Sequence, residues 1–219
     1  MILTQLQQLI GGIYDVSVGH DVYDFLVTDR RRLPASVRGR MAEEDLIVAQ
    51  PGDIGDEAGV SLYLDPGLLE RLRREDPMVR LHDGNVADYC KALEGVSHFL
   101  YLAWNAGHDR PVSILELEMQ AEVDKYVASY WLLRRQLPDR FPAELRRTLF
   151  ERARIDPRLA EGREDVYREA SRYAEKFCRR LERSLRRRGA GTEAEVLSEL
   201  RRFYRLSNAR KVAHIDRSA

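Results

Sequence analysis

Residues Leu115–Asp124 read LELEMQAEVD, a strict apolar–polar alternation that, taken alone, spells a β-strand. Two features overrule that reading. The residues are strong helix formers and poor strand formers. In addition, Leu115, Met119, Val123, Tyr126, Tyr130 and Leu133 fall at helical spacing in one stripe that continues past the alternation. The stretch is read as part of a helix over 113–137, opened by Ser113-x-x-Glu116. That is a capping-box pattern, in which two side chains satisfy orphan backbone donors.

The segment before it supplies a partner. A helix over 84–106 carries Lys91, Glu94, His98, Tyr101 and Asn105, spaced three, four, three and four apart and so on one face. The rest of that helix is apolar. In 113–137, Glu118, Glu122, Lys125 and Ser129 make an equivalent polar row. The link Asn105–Val112 is short enough to make the two helices antiparallel neighbours. Facing residue numbers then sum to about 219. Glu94 is predicted opposite Lys125, His98 opposite Glu122, and Tyr101 opposite Glu118, all complementary pairs.

A histidine among carboxylates suits acid–base work or ligation, with His98 central and Glu94, Glu118 and Glu122 as candidate partners. The same pattern also serves as a polar ladder that fixes the register of two helices. A two-metal carboxylate bundle needs Glu-x-x-His on paired helices. Here the spacing is Glu94-x-x-x-His98 and occurs once, so no metal and no cofactor are expected. The dipeptides His20-Asp21, His82-Asp83 and His108-Asp109 lie at predicted turns, where aspartate commonly caps. Walker, GxGxxG, GxSxG and HExxH patterns are missing from the sequence.

Toward the N-terminus the period falls to two. Residues 1–10 suit a short amphipathic helix stopped by Gly11-Gly12. Ile13–Asp29, Leu46–Ala49 and Val60–Leu64 read as strands, with turn chemistry at Gly19-His20-Asp21 and at 51–56. A helix is expected near 66–74 before the hairpin, and beyond it near 142–155 (with Pro142 at its first position), 163–188 and 192–213. Gly189-Ala190-Gly191 joins the last two. The fold class is α+β and predominantly α: an antiparallel helical bundle with a small N-terminal antiparallel sheet. The chain divides into 1–76 and 77–219, or runs as one continuous domain.

The 219 residues carry 36 basic and 36 acidic side chains, unevenly placed. Residues 1–133 hold 12 against 22, and residues 134–219 hold 24 against 14. Such a split marks complementary surfaces, within one fold or between chains. The helix 163–188 presents Arg168, Arg172, Arg179, Arg183 and Arg186 opposite its apolar stripe. That face suits a partner protein or a phosphate backbone. Acid-first pairs such as Glu175–Arg179 favour a solvated face instead, so nucleic acid is not favoured. No apolar run approaches the roughly 20 residues of a membrane span, and the first ten residues do not read as a signal peptide. Cys90 and Cys178, without CxxC spacing, read as reduced core residues of a cytoplasmic protein. The leading expectation is a cytoplasmic interaction or assembly protein, self-associating as a homodimer or binding another protein. The alternatives are an enzyme built on the His98 seam and a nucleic-acid-binding module using 163–188 and 192–213.

Overall fold

The computed structural model describes residues 1–33, 44–49, 59–150, 164–187 and 192–217. Among them are eight α-helices and three short strands, so the protein is α+β and predominantly α. The helices are α1 (Ile2–Tyr14), α2 (Pro66–Arg74), α3 (Val86–Ala106), α4 (Ile114–Gln136), α5 (Leu145–Phe150), α6 (Glu164–Leu185), α7 (Thr192–Tyr204) and α8 (Asn208–Arg217). The strands are β1 (Leu26–Val27), β2 (Glu44–Ala49) and β3 (Gly59–Leu64).

The central element is α4, which is why its alternation misleads. A helix on the rim of a bundle shows one apolar and one polar face. In α4, Met119, Val123, Tyr126 and Tyr130 are buried, and so are Glu116, Glu118, Gln120 and Asp124. Its apolar stripe packs along α6, whose Ala170, Ala174, Phe177, Cys178, Leu181 and Leu185 are buried in turn. The antiparallel partner α3 lies along another side, and α3 is itself packed against α1, β2 and β3. One buried apolar cluster runs from Leu3 to Ile215 through all these helices. Arg146 on α5 holds that short helix to α6 through Glu175 and Glu182, each at 3.0 Å.

The first helix runs through Gly11-Gly12 to Tyr14 instead of stopping there. Ile10, Ile13 and Tyr14 extend the stripe of Leu3 and Leu6 into the core, and their burial outweighs a glycine cost of about 1 kcal/mol each. The helix ends at Asp15, which takes the left-handed conformation (φ 54°). The Val16 amide donates back to the Gly11 carbonyl at 3.0 Å. A Cβ on Gly11 would sit 2.9 Å from the Val16 carbonyl oxygen. Gly11 is required for the cap, and it does not act as a stop signal.

Of the expected strand Ile13–Asp29, only Leu26–Val27 is strand. Side chains capture the backbone donors upstream: Asp21 accepts from the Tyr23 amide and Gln7 from the Val22 amide. Val22–Phe25 is thereby wound into a 3-10 turn. The sheet has the order β1-β3-β2 and is mixed. β2 and β3 form the expected antiparallel hairpin, Glu44 opposite Leu64 and Ala49 opposite Gly59. β1 runs parallel to β3, Leu26 opposite Leu62. Leu62 and Leu64 enter the main core, and Tyr63 points to the other face with Leu33 and Val27.

Downstream, α4 starts with half of the expected capping box: the Ser113 hydroxyl accepts from the Glu116 amide at 3.2 Å, while the Glu116 carboxylate accepts from Tyr101 and from the Asn208 amide. Pro142 precedes its helix, which begins at Leu145, and the expected continuation to 155 lies outside the described residues. So do the Gly189–Gly191 joint and the turn at 51–56. The single helix expected over 192–213 is two helices. It breaks at 205–207, where the Leu206 amide bonds the Phe203 carbonyl and Ser207 starts α8 by accepting from the Lys211 amide. Among the described residues, no helix is long and apolar enough to cross a membrane.

Candidate functional site

Two polar clusters flank α4. The first is the seam with α3. Lys125 Nζ lies 2.9 Å from a Glu94 oxygen and 2.7 Å from a Glu122 oxygen. The Glu94–Lys125 pairing follows the antiparallel sum. The next pair is displaced by one turn: His98 Nε2 lies 3.5 Å from Glu118 Oε2, not beside Glu122. Tyr101 donates to Glu116 at 2.5 Å, not to Glu118. Ends of the two rows turn back on their own helices, Asn105 to the Tyr101 carbonyl and Ser129 to the Lys125 carbonyl.

The seam is close to sealed at one end and more open at the other. The side chains of His98 and Glu118 are 7% and 10% exposed, against 26% for Glu94. Burial raises the Glu94 carboxyl, but Lys125, with His98, brings it net below its ordinary value. Burial raises Glu122, and Lys125 only partly offsets this. Burial works against the Lys125 ammonium, yet Glu94 and Glu122 hold it well above its ordinary value. Lys125 therefore stays charged. Cys90, one turn before Glu94, is pushed up by burial to about 12, so it is a thiol at neutral pH.

Glu94, His98 and Glu118 each offer one ligating atom, and these atoms lie within 4.8 Å of one another. Among the described residues they are the one such group of three. Sequence reasoning named His98 as a possible ligand but, finding that the seam fails the two-metal Glu-x-x-His pattern, expected no metal there. The spacing of four that fails it puts Glu94 and His98 on consecutive turns of one face, with Glu118 reaching them from α4. The separation of His98 and Glu118 matches the edge of a coordination polyhedron with bonds of about 2.0–2.2 Å. A mixed nitrogen and oxygen donor set suits zinc, manganese or iron better than calcium or magnesium.

The second cluster is sealed in the core and was missed by sequence reasoning. Asp124, fully buried, accepts from the Tyr14 hydroxyl, from Ser97 Oγ at 2.6 Å and from Gln120 Nε2 at 2.7 Å. Gln120 also accepts from Lys211 Nζ at 2.5 Å. The Lys211 ammonium lies over the rings of Tyr101 and Phe203. Burial raises Asp124 to about 6 although its three donors pull the other way. Burial lowers Lys211 to about 7, with Glu116 and Asp124 opposing. The available signal was Glu116, Gln120 and Asp124 at spacing four, together with the scarcity of lysine. In a chain with four lysines among 36 basic residues, two of the four, Lys125 and Lys211, sit at the centre of the fold.

The arginines proposed for a partner or nucleic acid lie on α6, largely in ion pairs with their own helix. Arg168 pairs with Asp165, Arg172 with Glu169, Arg179 with Glu175 and Arg186 with Glu182, and Arg183 is exposed. Phe203 and Tyr204 are buried. The three His-Asp dipeptides serve locally. His20 packs on Phe25, His82 accepts from the Gly84 amide, and His108 bonds the Trp104 carbonyl. Comparison with protein families, with curated proteins and with solved structures returns no match.

Proposed function

We propose that the protein binds a divalent transition-metal ion in the α3–α4 seam, through the carboxylates of Glu94 and Glu118 and the imidazole of His98. The observation that carries this reading is the convergence of the three donors within 4.8 Å, on the two packed helices nearest the middle of the fold. Charge supports it. Glu94, Glu118 and Glu122 against Lys125 leave the cluster at about −2 with neutral histidine, which a divalent ion offsets. Three protein ligands leave coordination positions for water, and with zinc a bound water ionises near neutral pH. The enzyme reading of the seam thus becomes one of metal-assisted hydrolysis.

The test is titration calorimetry of metal-stripped protein with Zn2+ and with Mn2+. One equivalent is expected to bind to the wild type, and His98→Ala or Glu118→Gln is expected to weaken binding at least tenfold. A bound ion at a hundred times its Kd adds about 2.7 kcal/mol of stability, readable as a rise in Tm. No stoichiometric binding of either ion at 100 micromolar protein, on the order of the highest useful concentration for a resident metal, sinks the reading and leaves the seam as a register-fixing ladder.

A further inference from the structure

The metal reading leaves one group unassigned, and it carries the wrong sign for a metal site. Lys125 Nζ sits between Glu94 and Glu122, at 2.9 and 2.7 Å, with its side chain 15% exposed. We infer that Lys125 is a tethered counter-ion that competes with the metal for Glu94 and so sets the affinity of the site. The inference rests on the metal reading above.

The two contacts of Lys125 are not equivalent. Glu122 lies three residues before it on the same helix, so that pair survives any movement of α3 relative to α4. Glu94 lies on α3, and it is both the interhelical partner of Lys125 and a member of the ligand trio. Its carboxylate cannot satisfy an ammonium and a dication at full strength together, because the two cations then repel across a few ångströms of poorly solvated interior. Glu94 is also the most exposed of the three ligands, so it has room to rotate. In the metal-free protein Glu94 clamps the hairpin through Lys125. On loading, Glu94 turns to the metal, Lys125 is retained by Glu122, and the clamp between α3 and α4 passes from the lysine to the ion. A lysine that merely positions Glu94 for ligation would make the opposite prediction, since its loss would weaken the site.

The experiment measures the Zn2+ dissociation constants of wild type, Lys125→Met, Lys125→Gln and Lys125→Arg by calorimetry at pH 7.5. The Met variant keeps the apolar stem. The Gln variant keeps hydrogen bonds to both carboxylates and carries the test if the Met variant does not fold without metal. Both neutral variants are expected to bind at least tenfold tighter than wild type, and the Arg variant to stay within threefold of it. Zinc is also expected to raise the Tm of the neutral variants more than that of the wild type. Wild-type binding with unchanged or weaker binding in the neutral variants overturns the competition and leaves the metal site standing. Absence of binding in wild type removes the metal reading, and this inference with it.

Discussion

The same helix carries two polar clusters that differ in what closes them. On the α3 side of α4, three carboxylates and a histidine share one ammonium, and Glu94 and Glu122 keep about a quarter of their side chains in solvent. Toward α1 and α8, Asp124 and Lys211 have no exposure at all, and neutral donors and aromatic rings do the work of solvent. The first cluster has excess charge and an open end, which is what a ligand needs. The second has its hydrogen bonds largely satisfied, and it locks α1, α3, α4 and α8 into one arrangement. A buried polar group is tied to function by what it lacks, and to architecture by how completely it is partnered.

The sharpest way to break this contrast is to remove one carboxylate from each side. Asp124→Ala strands the Tyr14, Ser97 and Gln120 donors and leaves Lys211 with Glu116 as its remaining nearby carboxylate. We expect a loss of about 3–5 kcal/mol in chemical denaturation. Glu118→Gln, at the seam, keeps its shape and is expected to cost about 1 kcal/mol in metal-free protein. Equal losses would mean that the seam is as structural as the core network.

A second test uses pH. The folded-state pKa of Lys211 is lowered to about 7, so the folded protein binds fewer protons than the unfolded chain between about pH 7 and the ordinary lysine value of roughly 10.4. The cost of burying the ammonium is fully present below pH 7 and is relieved as pH rises through that window. Asp124 has the opposite sign. With its folded pKa raised to about 6, it penalises the fold above pH 6, and the penalty disappears as pH falls toward about 4. Lys211→Met is therefore expected to stabilise the protein near pH 6 and to abolish its share of the stability gained from pH 7 to 10, on the order of a few kcal/mol. An identical pH profile for wild type and variant would place Lys211 outside the titrating network.

The smallest effect is expected on the outer face of α6. Arg179→Ala removes an exposed i,i+4 pair with Glu175 and should change stability by less than about 0.5 kcal/mol. A larger loss would show that this face is more than a solvated surface.

These contrasts also explain what was readable in the residues. The antiparallel hairpin and the Glu94–Lys125 pair followed from loop length and spacing. The pairing of His98 was displaced by one turn because a constant sum gives only an average level along the axis, and it does not separate two carboxylates one turn apart on the same stripe. Glu118 and Glu122 lie on consecutive turns about 5.4 Å apart on one stripe. The Asp124 network was invisible for a different reason: polar residues facing inward on a central helix have the same spacing as polar residues facing water. Gly11-Gly12 misled in the opposite direction. A local breaker lost to the burial of Ile13 and Tyr14, and only the Val16 carbonyl explains why glycine stands at position 11.

The cap that ends α1 has a consequence for how the fold closes. Arg205 donates to the carbonyls of Tyr14 and Asp15, and Arg201 to that of Ile13. The end of the first helix is thus finished by residues about 190 positions further along the chain. The cap of α1 is therefore completed only when α7 docks, although α3 also packs against that helix. Contacts of such long sequence separation fold slowly and leave the nascent chain exposed to aggregation.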